Sequence, residues 1–195
     1  MNISEFLGTL NIVDVLIFLG LFGCFILGYA QGTIRRLVGI ATMTFSFFLA
    51  AQLQVPVGSF LASHWTQFPP EYAAMLGFLI LFVAGVVAFA LVVQGTYTKM
   101  HIFSKHPIVD EVLGGILGVV EGLLFLMFLT IILDQFFLSQ HFAPDTDELP
   151  LLGNLWTAIN GSAFGNLLHQ TAIPNFLFLV QFLIPQGILR IYGIG

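Results

Sequence analysis

The sequence predicts an all-α protein that crosses a membrane four times. Of its 195 residues, 58% are hydrophobic and 8% are charged, about a third of the charged fraction of an ordinary soluble domain. So few charges cannot cover a soluble globule, and its 22 phenylalanines exceed what one aqueous core would bury. The chain also contains four apolar stretches, each close to the roughly 20 residues that a helix needs to cross a bilayer. We therefore expect lipid to surround most of the chain.

The four stretches define the expected spans. They cover approximately residues 12–30, 37–55, 73–93 and 113–133. Asp14 is the only charge in the first stretch, the third has none, and the fourth carries Glu121 in its inner half. Acidic Glu5 and Asp14 stand where a cleaved signal peptide has basic residues, so we expect the first helix to be retained.

The basic residues predict the orientation of these spans. Four of the five fall in two connections on the same side of the membrane: Arg35, Arg36, Lys99 and Lys105. Residues 56–72 and 134–170 contain no Lys or Arg. The positive-inside rule then places the N-terminus and the end of the fourth span on the outer side.

We expect two parts in the chain. Residues 1–139 form the membrane unit, and residues 140–195 form a tail on the outer side. Apolar residues recur at helical spacing between residues 151 and 168 without a charge, which indicates an amphipathic helix at an interface or over the bundle. Before the third span, we expect a short interfacial helix at Val57 to Trp65. Trp65 and Trp156 are candidate contact points for partners.

The last apolar run, residues 173–189, is too short and too interrupted for a clear span. It contains Pro174 and Pro185, and 17 helical residues rise only about 25 Å. We favour an interfacial or re-entrant segment, with a fifth span as the alternative.

Small residues recur at every fourth position in the first and fourth spans. The two series are Gly20, Cys24, Gly28, Gly32 and Gly114, Gly118, Gly122. Such stripes let helix backbones approach closely in lipid. They predict close packing, either within the chain or in a homo-oligomer.

Two sequence blocks resemble the colicin V production (CvpA) family of small bacterial inner-membrane proteins. The first is Asp14 followed by Gly28-Tyr29-Ala30-Gln31-Gly32-Thr33-Ile34-Arg35. The second is Asp110-Glu111-Val112-Leu113-Gly114, followed by Gly118 and Gly122. The resemblance covers residues 12 to about 135. It implies a four-span protein connected with colicin V production or export and with envelope homeostasis, without an established enzymatic activity.

The charged residues within the spans are the candidate functional residues. A carboxylate deep in a spanning helix costs about 2.5–3.5 kcal/mol on insertion scales, so Glu121 is either a proton or ion site or a hydrogen-bonded residue that fixes helix pairing. Asp14 could reach water, cap the first helix or form a specific site. Arg35 and Arg36 would set topology and meet lipid headgroups, or dock a partner. We expect Asp110 to cap the fourth helix.

Signals for catalysis, metals and cofactors are weak, and we expect none of the three. Ser162 lies outside a Gly-x-Ser-x-Gly elbow, and no carboxylate that would orient His169 is evident. The pair His101 and His106 matches no zinc spacing. The acidic run Asp145, Asp147 and Glu148 is typical of a solvated loop rather than a calcium site.

Two functional hypotheses follow. The first is a non-enzymatic membrane protein that contacts envelope or export proteins, in addition to membrane lipid. The second is a small oligomeric channel or proton-coupled transporter that uses Glu121. A net charge of −5 argues against nucleic acid as a partner, and the single Cys24 excludes an intramolecular disulfide.

Overall fold

The computed structural model of the chain describes residues 11–65, 70–96, 107–138 and 150–194. Within these ranges the chain is helical. Four long helices, α1 to α4, are followed by four shorter ones, α5 to α8: Ile12–Gln31, Thr33–His64, Pro70–Thr96, Pro107–Phe137, Pro150–Asn160, Ala163–Leu167, Ile173–Val180 and Gln186–Ile191. A π-helical turn, Leu168–Ala172, joins α6 to α7. The four long helices of this described part are long and apolar enough to cross a membrane, which confirms the expected fold class.

The long helices form two antiparallel pairs, α1 with α4 and α2 with α3. The parallel helices α2 and α4 pack together and join the pairs into one bundle. Phenylalanines fill the centre, where the rings of Phe47 on α2 and Phe128 on α4 stack with centroids 4.2 Å apart. We call the end of the bundle where α1 begins the Asp14 end, and we call the opposite end the Gly32 end.

Glycines allow α1 and α4 to touch through their backbones. A Cβ added to Gly114 would lie 2.6 Å from the Gly28 carbonyl oxygen, and one added to Gly118 would overlap the carbonyl of Cys24. Gly20, in contrast, has no atom near its added Cβ within the described part of the chain. The stripe on α4 therefore serves packing within the chain.

Gly32 forms the joint between α1 and α2. Its φ of +79° lies in the region that favours glycine, and an added Cβ would lie 2.8 Å from Oδ2 of Asp110. The Thr33 hydroxyl donates to the Asp110 carbonyl oxygen at 2.9 Å. The expected cap role of Asp110 was wrong, because α4 already begins at Pro107, a residue favoured at helix starts. Asp110 lies within the first turn and is buried beside the joint.

The short interfacial helix expected at Val57 to Trp65 was also wrong, since α2 continues through Pro56 to His64 as one helix of 32 residues. Gly58 keeps this extension on the bundle, where the Cβ added to Gly77 would be 3.3 Å from its nitrogen. Neighbouring helices and side chains allow proline inside such helices.

The residues after α4 pack on the same core as the spans. Ile173, Leu177 and Ile188 are fully buried in it. Pro185 separates α7, which has eight residues, from α8, which has six. The four described helices that are long and apolar enough to cross a membrane do not include this run. Its helical turns continue those before it without a break over residues 163–183, so its interfacial or re-entrant course stays a prediction.

Candidate functional site

Glu121, the deepest charge predicted from the sequence, forms an ion pair with Arg36. The Arg36 guanidinium Nη1 on α2 contacts Oε2 of Glu121 on α4. The two side chains are only 12% and 18% exposed. Gly39 makes room for the carboxylate, because an added Cβ there would overlap it. The ion pair offsets the cost of placing either charge among apolar helices.

The parallel course of α2 and α4 explains how two distant residues meet. Both helices rise from the Gly32 end, where Thr33 and Asp110 lie side by side. Glu121 lies about 16 Å further along α4 at 1.5 Å per residue, and Arg36 lies in the first turn of α2. The Glu121 side chain points back along α4 to the level of Gly39, where the long Arg36 side chain meets it.

An open cleft of about 160 Å³ lies beside this ion pair. It is lined by residues of all four long helices: Gln31, Arg35, Arg36, Gly39, Thr42, Met43, Val86, Ala90 and Glu121. The cleft thus brings together three of the charged residues that the sequence singled out.

A second polar site, the Asp134 cluster, consists of Asp134, Trp156, His169 and Tyr192. Asp134 is fully buried in the last turn of α4. Its Oδ1 accepts a hydrogen bond from Trp156 Nε1 at 2.8 Å. Its Oδ2 lies 2.6 Å from His169 Nε2 and accepts from the Tyr192 hydroxyl at 2.6 Å. One carboxylate therefore holds three separate parts of the tail on the spanning helices.

The hydrogen bonds of His169 favour its protonated form. Its Nδ1 lies 2.9 Å from the Gly165 carbonyl oxygen, which can only accept, so Nδ1 carries a proton. Its Nε2 faces a carboxylate, which favours a second proton there. The hydrogen bond to Asp134 raises the pKa of His169 despite partial burial. Burial, together with the negative charge of Asp134, raises the pKa of Tyr192. The hydrogen bonds and the raised pKa favour a protonated His169 beside Asp134, and Tyr192 stays neutral.

In this geometry His169 does not act as a base for Ser162. Both ring nitrogens of His169 are engaged. Ser162 is buried, donates to the Ile159 carbonyl at 2.6 Å, and accepts from the Gly165 amide as the cap of α6. Both residues stabilise the tail.

Asp14 attaches the tail at another point. Its carboxylate accepts from the backbone amides of Phe164 at 2.9 Å and Ala163 at 3.2 Å. It also accepts from the Asn11 amide at 2.9 Å, which completes the cap of α1. Asp14 is buried rather than open to water, because it serves the first turns of two helices at once.

The other sequence candidates lie apart. Trp65 follows α2 and is 38% exposed, whereas the Trp156 ring packs on Phe137 at 5.2 Å and so serves an internal contact. The described ranges contain no cluster of His, Cys, Asp or Glu that could hold a metal. The remaining candidates lie outside the described residues: Lys99, His101, Lys105, His106, Asp145, Asp147 and Glu148.

Sequence reasoning missed Asp134 and Tyr192. Asp134 comes directly after the expected end of the fourth span at residue 133, so it was not considered among the charges within the spans. The signal was available: a carboxylate next to an apolar span, followed by a tail that carries Trp156 and His169 as donors.

Comparison with known families decides the identification. A family model described as colicin V production protein matches residues 13–171. The chain belongs to the colicin V production protein family. The match and the four spanning helices make it a membrane protein of this family. No curated protein and no solved structure matches the chain.

The family match extends further than the resemblance seen in the sequence, which ended near residue 135. It includes Asp14, Asp134 and His169, and ends before Tyr192. The match therefore covers the tail from its start to residue 171, within the π-helical turn.

Proposed function

We propose that this colicin V production family protein is a non-enzymatic protein of the bacterial inner membrane. It supports toxin production or export, or envelope homeostasis, through contacts between its tail and envelope or export proteins. The observation that carries the proposal is a tail fastened to the bundle by buried polar contacts, with an apolar edge that is exposed in the described part of the chain.

That edge consists of Phe178, Leu179 and Phe182, which are 67%, 73% and 79% exposed. On the opposite side of the same segment, Leu177 is fully buried. The anchors at Asp14 and Asp134 hold the edge in place, which lowers the entropy lost when a partner binds. Large, preorganised apolar side chains are suited to packing against another protein's helix.

The proposed orientation places the tail and the N-terminus on the outer side. Four spans return the chain to its starting side, and the contact of Asp14 with Phe164 lies at that end. Arg35 and Arg36 lie at the Gly32 end, at the start of α2. Basic residues in short connections favour the inner side of the membrane. Reporter fusions at residues 65 and 195 should be active outside the cytoplasm and a fusion at residue 103 inside it. The opposite pattern would refute this orientation.

Toxin release from cells tests the proposed role. A colicin V-producing bacterium that lacks its own family member would carry either the wild-type chain or the pair Phe178→Ala and Phe182→Ala. If the edge binds an export protein, release should fall at least about tenfold, since loss of two central contacts costs a few kcal/mol. Envelope integrity, measured by detergent sensitivity, is the parallel readout for a homeostasis partner.

The matched control is the pair Phe18→Ala and Phe22→Ala on α1, which are 69% and 54% exposed. These changes remove the same side chains from a surface that the proposal leaves to lipid. Two outcomes, each at equal abundance of the variants in the membrane, would contradict the proposal. The first is an equal loss of toxin release in the tail variant and the α1 variant. The second is a tail variant with normal toxin release and normal envelope integrity.

A second candidate is a small oligomeric channel or proton-coupled transporter that uses Glu121. The open cleft beside the Glu121 carboxylate favours it. Purified protein in liposomes should then pass protons or small ions, and Glu121→Gln should abolish the flux. Absent flux, or flux unchanged by Glu121→Gln, would eliminate this candidate.

A further inference from the structure

The cleft at the Gly32 end carries an excess of positive charge. Its lining holds the guanidinium groups of Arg35 and Arg36 and the carboxylate of Glu121. Arg36 and Glu121 neutralise each other as an ion pair. For Arg35, the described part of the chain offers no carboxylate at ion-pair distance. Because Arg35 is only partly exposed, an anion bound in the cleft would be its natural counter-charge.

The walls of the cleft are amphipathic. Gln31 and Thr42 add polar groups beside the arginines, while Met43, Val86 and Ala90 are apolar. Ala90 is exposed, so the apolar wall continues onto the outer face of α3. At about 30 Å³ per water molecule, the cleft has roughly the volume of five waters, enough for a tetrahedral phosphate group.

We propose that this cleft binds the phosphate of an anionic phospholipid. Arg35 is the principal ligand, since a guanidinium fork matches two phosphate oxygens. Gln31 contributes its side-chain amide, and the acyl chain follows Val86 and Ala90 along α3. The position of Arg35 in the first turn of α2 fits the headgroup level of a bilayer. The apolar wall favours a lipid over free phosphate, and pairing with Arg36 offsets repulsion by Glu121.

Lipid binding by the full-length protein tests this site. Protein in phosphatidylcholine nanodiscs would be titrated with phosphatidylglycerol, and retained lipid would be counted by native mass spectrometry. Phosphatidylglycerol should be retained in preference to phosphatidylcholine. Arg35→Gln should lower that preference about fivefold, the effect of one basic residue at a membrane surface. The control Arg190→Gln alters an exposed arginine of α8 and should leave the preference unchanged.

A second pair of variants separates a built cleft from diffuse attraction by charge. Ala90→Phe fills the cleft without changing any charge and should reduce phosphatidylglycerol retention about as much as Arg35→Gln. Val87→Phe places the same side chain on the same helix at an exposed residue, 51% accessible, outside the cleft lining, and should have no effect. This pair keeps the test valid if Arg35→Gln fails to fold.

Three results would overturn the proposal. The first is unchanged lipid preference in Ala90→Phe or in folded Arg35→Gln. The second is an equal loss in Arg190→Gln or Val87→Phe, which would indicate general electrostatics or bulk. The third is displacement of phosphatidylglycerol by inorganic phosphate at equal concentration, which would assign the cleft to free phosphate.

Discussion

Nε2 of His169 in the tail and Oδ2 of Asp134 at the end of α4 lie 2.6 Å apart and pair as ions when the histidine is protonated. Asp134 is fully buried, and the same carboxylate holds Trp156 and Tyr192. The tail thus depends on one charged group of a spanning helix, and its attachment should respond to pH and to substitution.

Attachment of the tail should weaken as pH rises. The pKa of His169 is raised in the folded chain, so its ion pair with Asp134 contributes in full below about pH 6.5, the ordinary histidine value. The contribution is lost as pH rises through the raised pKa. Trp156 fluorescence in a Trp65→Phe background should follow this loss. His169→Gln should remove the pH dependence, and an identical profile in that variant would contradict the assignment.

Replacing one partner of the ion pair between Arg36 and Glu121 should lower the stability of the protein more than replacing both partners. Arg36→Met leaves the Glu121 carboxylate largely buried without its partner, and we expect a loss of about 3–5 kcal/mol in the free energy of unfolding. The double variant Arg36→Met and Glu121→Met should recover most of that loss. Reversible unfolding in detergent micelles measures both. Additive losses in the double variant would mean that the two side chains are not coupled.

The contact between α1 and α4 should tolerate no side chain at Gly118. Because an added Cβ would overlap the Cys24 carbonyl, Gly118→Ala must push the helices apart, at a cost of about 1–3 kcal/mol. Gly20→Ala is the matched control, since the space beside Gly20 is open within the described chain. Thermal unfolding of the two variants should separate them, and equal stability would argue against this helix contact.

Asp14 should control the local stability of α6. Asp14→Ala removes the acceptor for the amides of Ala163 and Phe164. Their hydrogen exchange should accelerate by about tenfold or more, as expected for loss of bonds to a charged group. Asp14→Asn keeps one acceptor oxygen and should show a smaller effect. Unchanged hydrogen exchange in Asp14→Ala would mean that the start of α6 is not held by the Asp14 carboxylate.

The sequence was sufficient for the spans, because apolar length and the near absence of charge determine which helices can lie in lipid. It was also sufficient to select Asp14 and Glu121, since charges within spans are costly. The partner of Glu121 was not predictable, because Arg36 had been assigned to the connection and only the parallel packing of α2 on α4 brings the two together.

Two of the misjudged features share one physical cause, which is that tertiary contacts override local signals. The second span was expected to end near residue 55, but packing of Gly58 near Gly77 carries α2 past Pro56. The expected fourth span ended at residue 133, just before Asp134, although tail donors allow this carboxylate to be buried in the last turn of α4.

Photocrosslinking in intact cells tests the proposed partner contact most directly. A photoreactive amino acid at Phe182, which is 79% exposed, would be compared with one at fully buried Ile188 in the same tail. We predict that Phe182 captures a specific envelope or export protein, that Ile188 does not, and that Phe178→Ala reduces the capture. Capture of lipid alone at Phe182, together with normal toxin release and envelope integrity in cells lacking residues 150–194, would contradict the proposal.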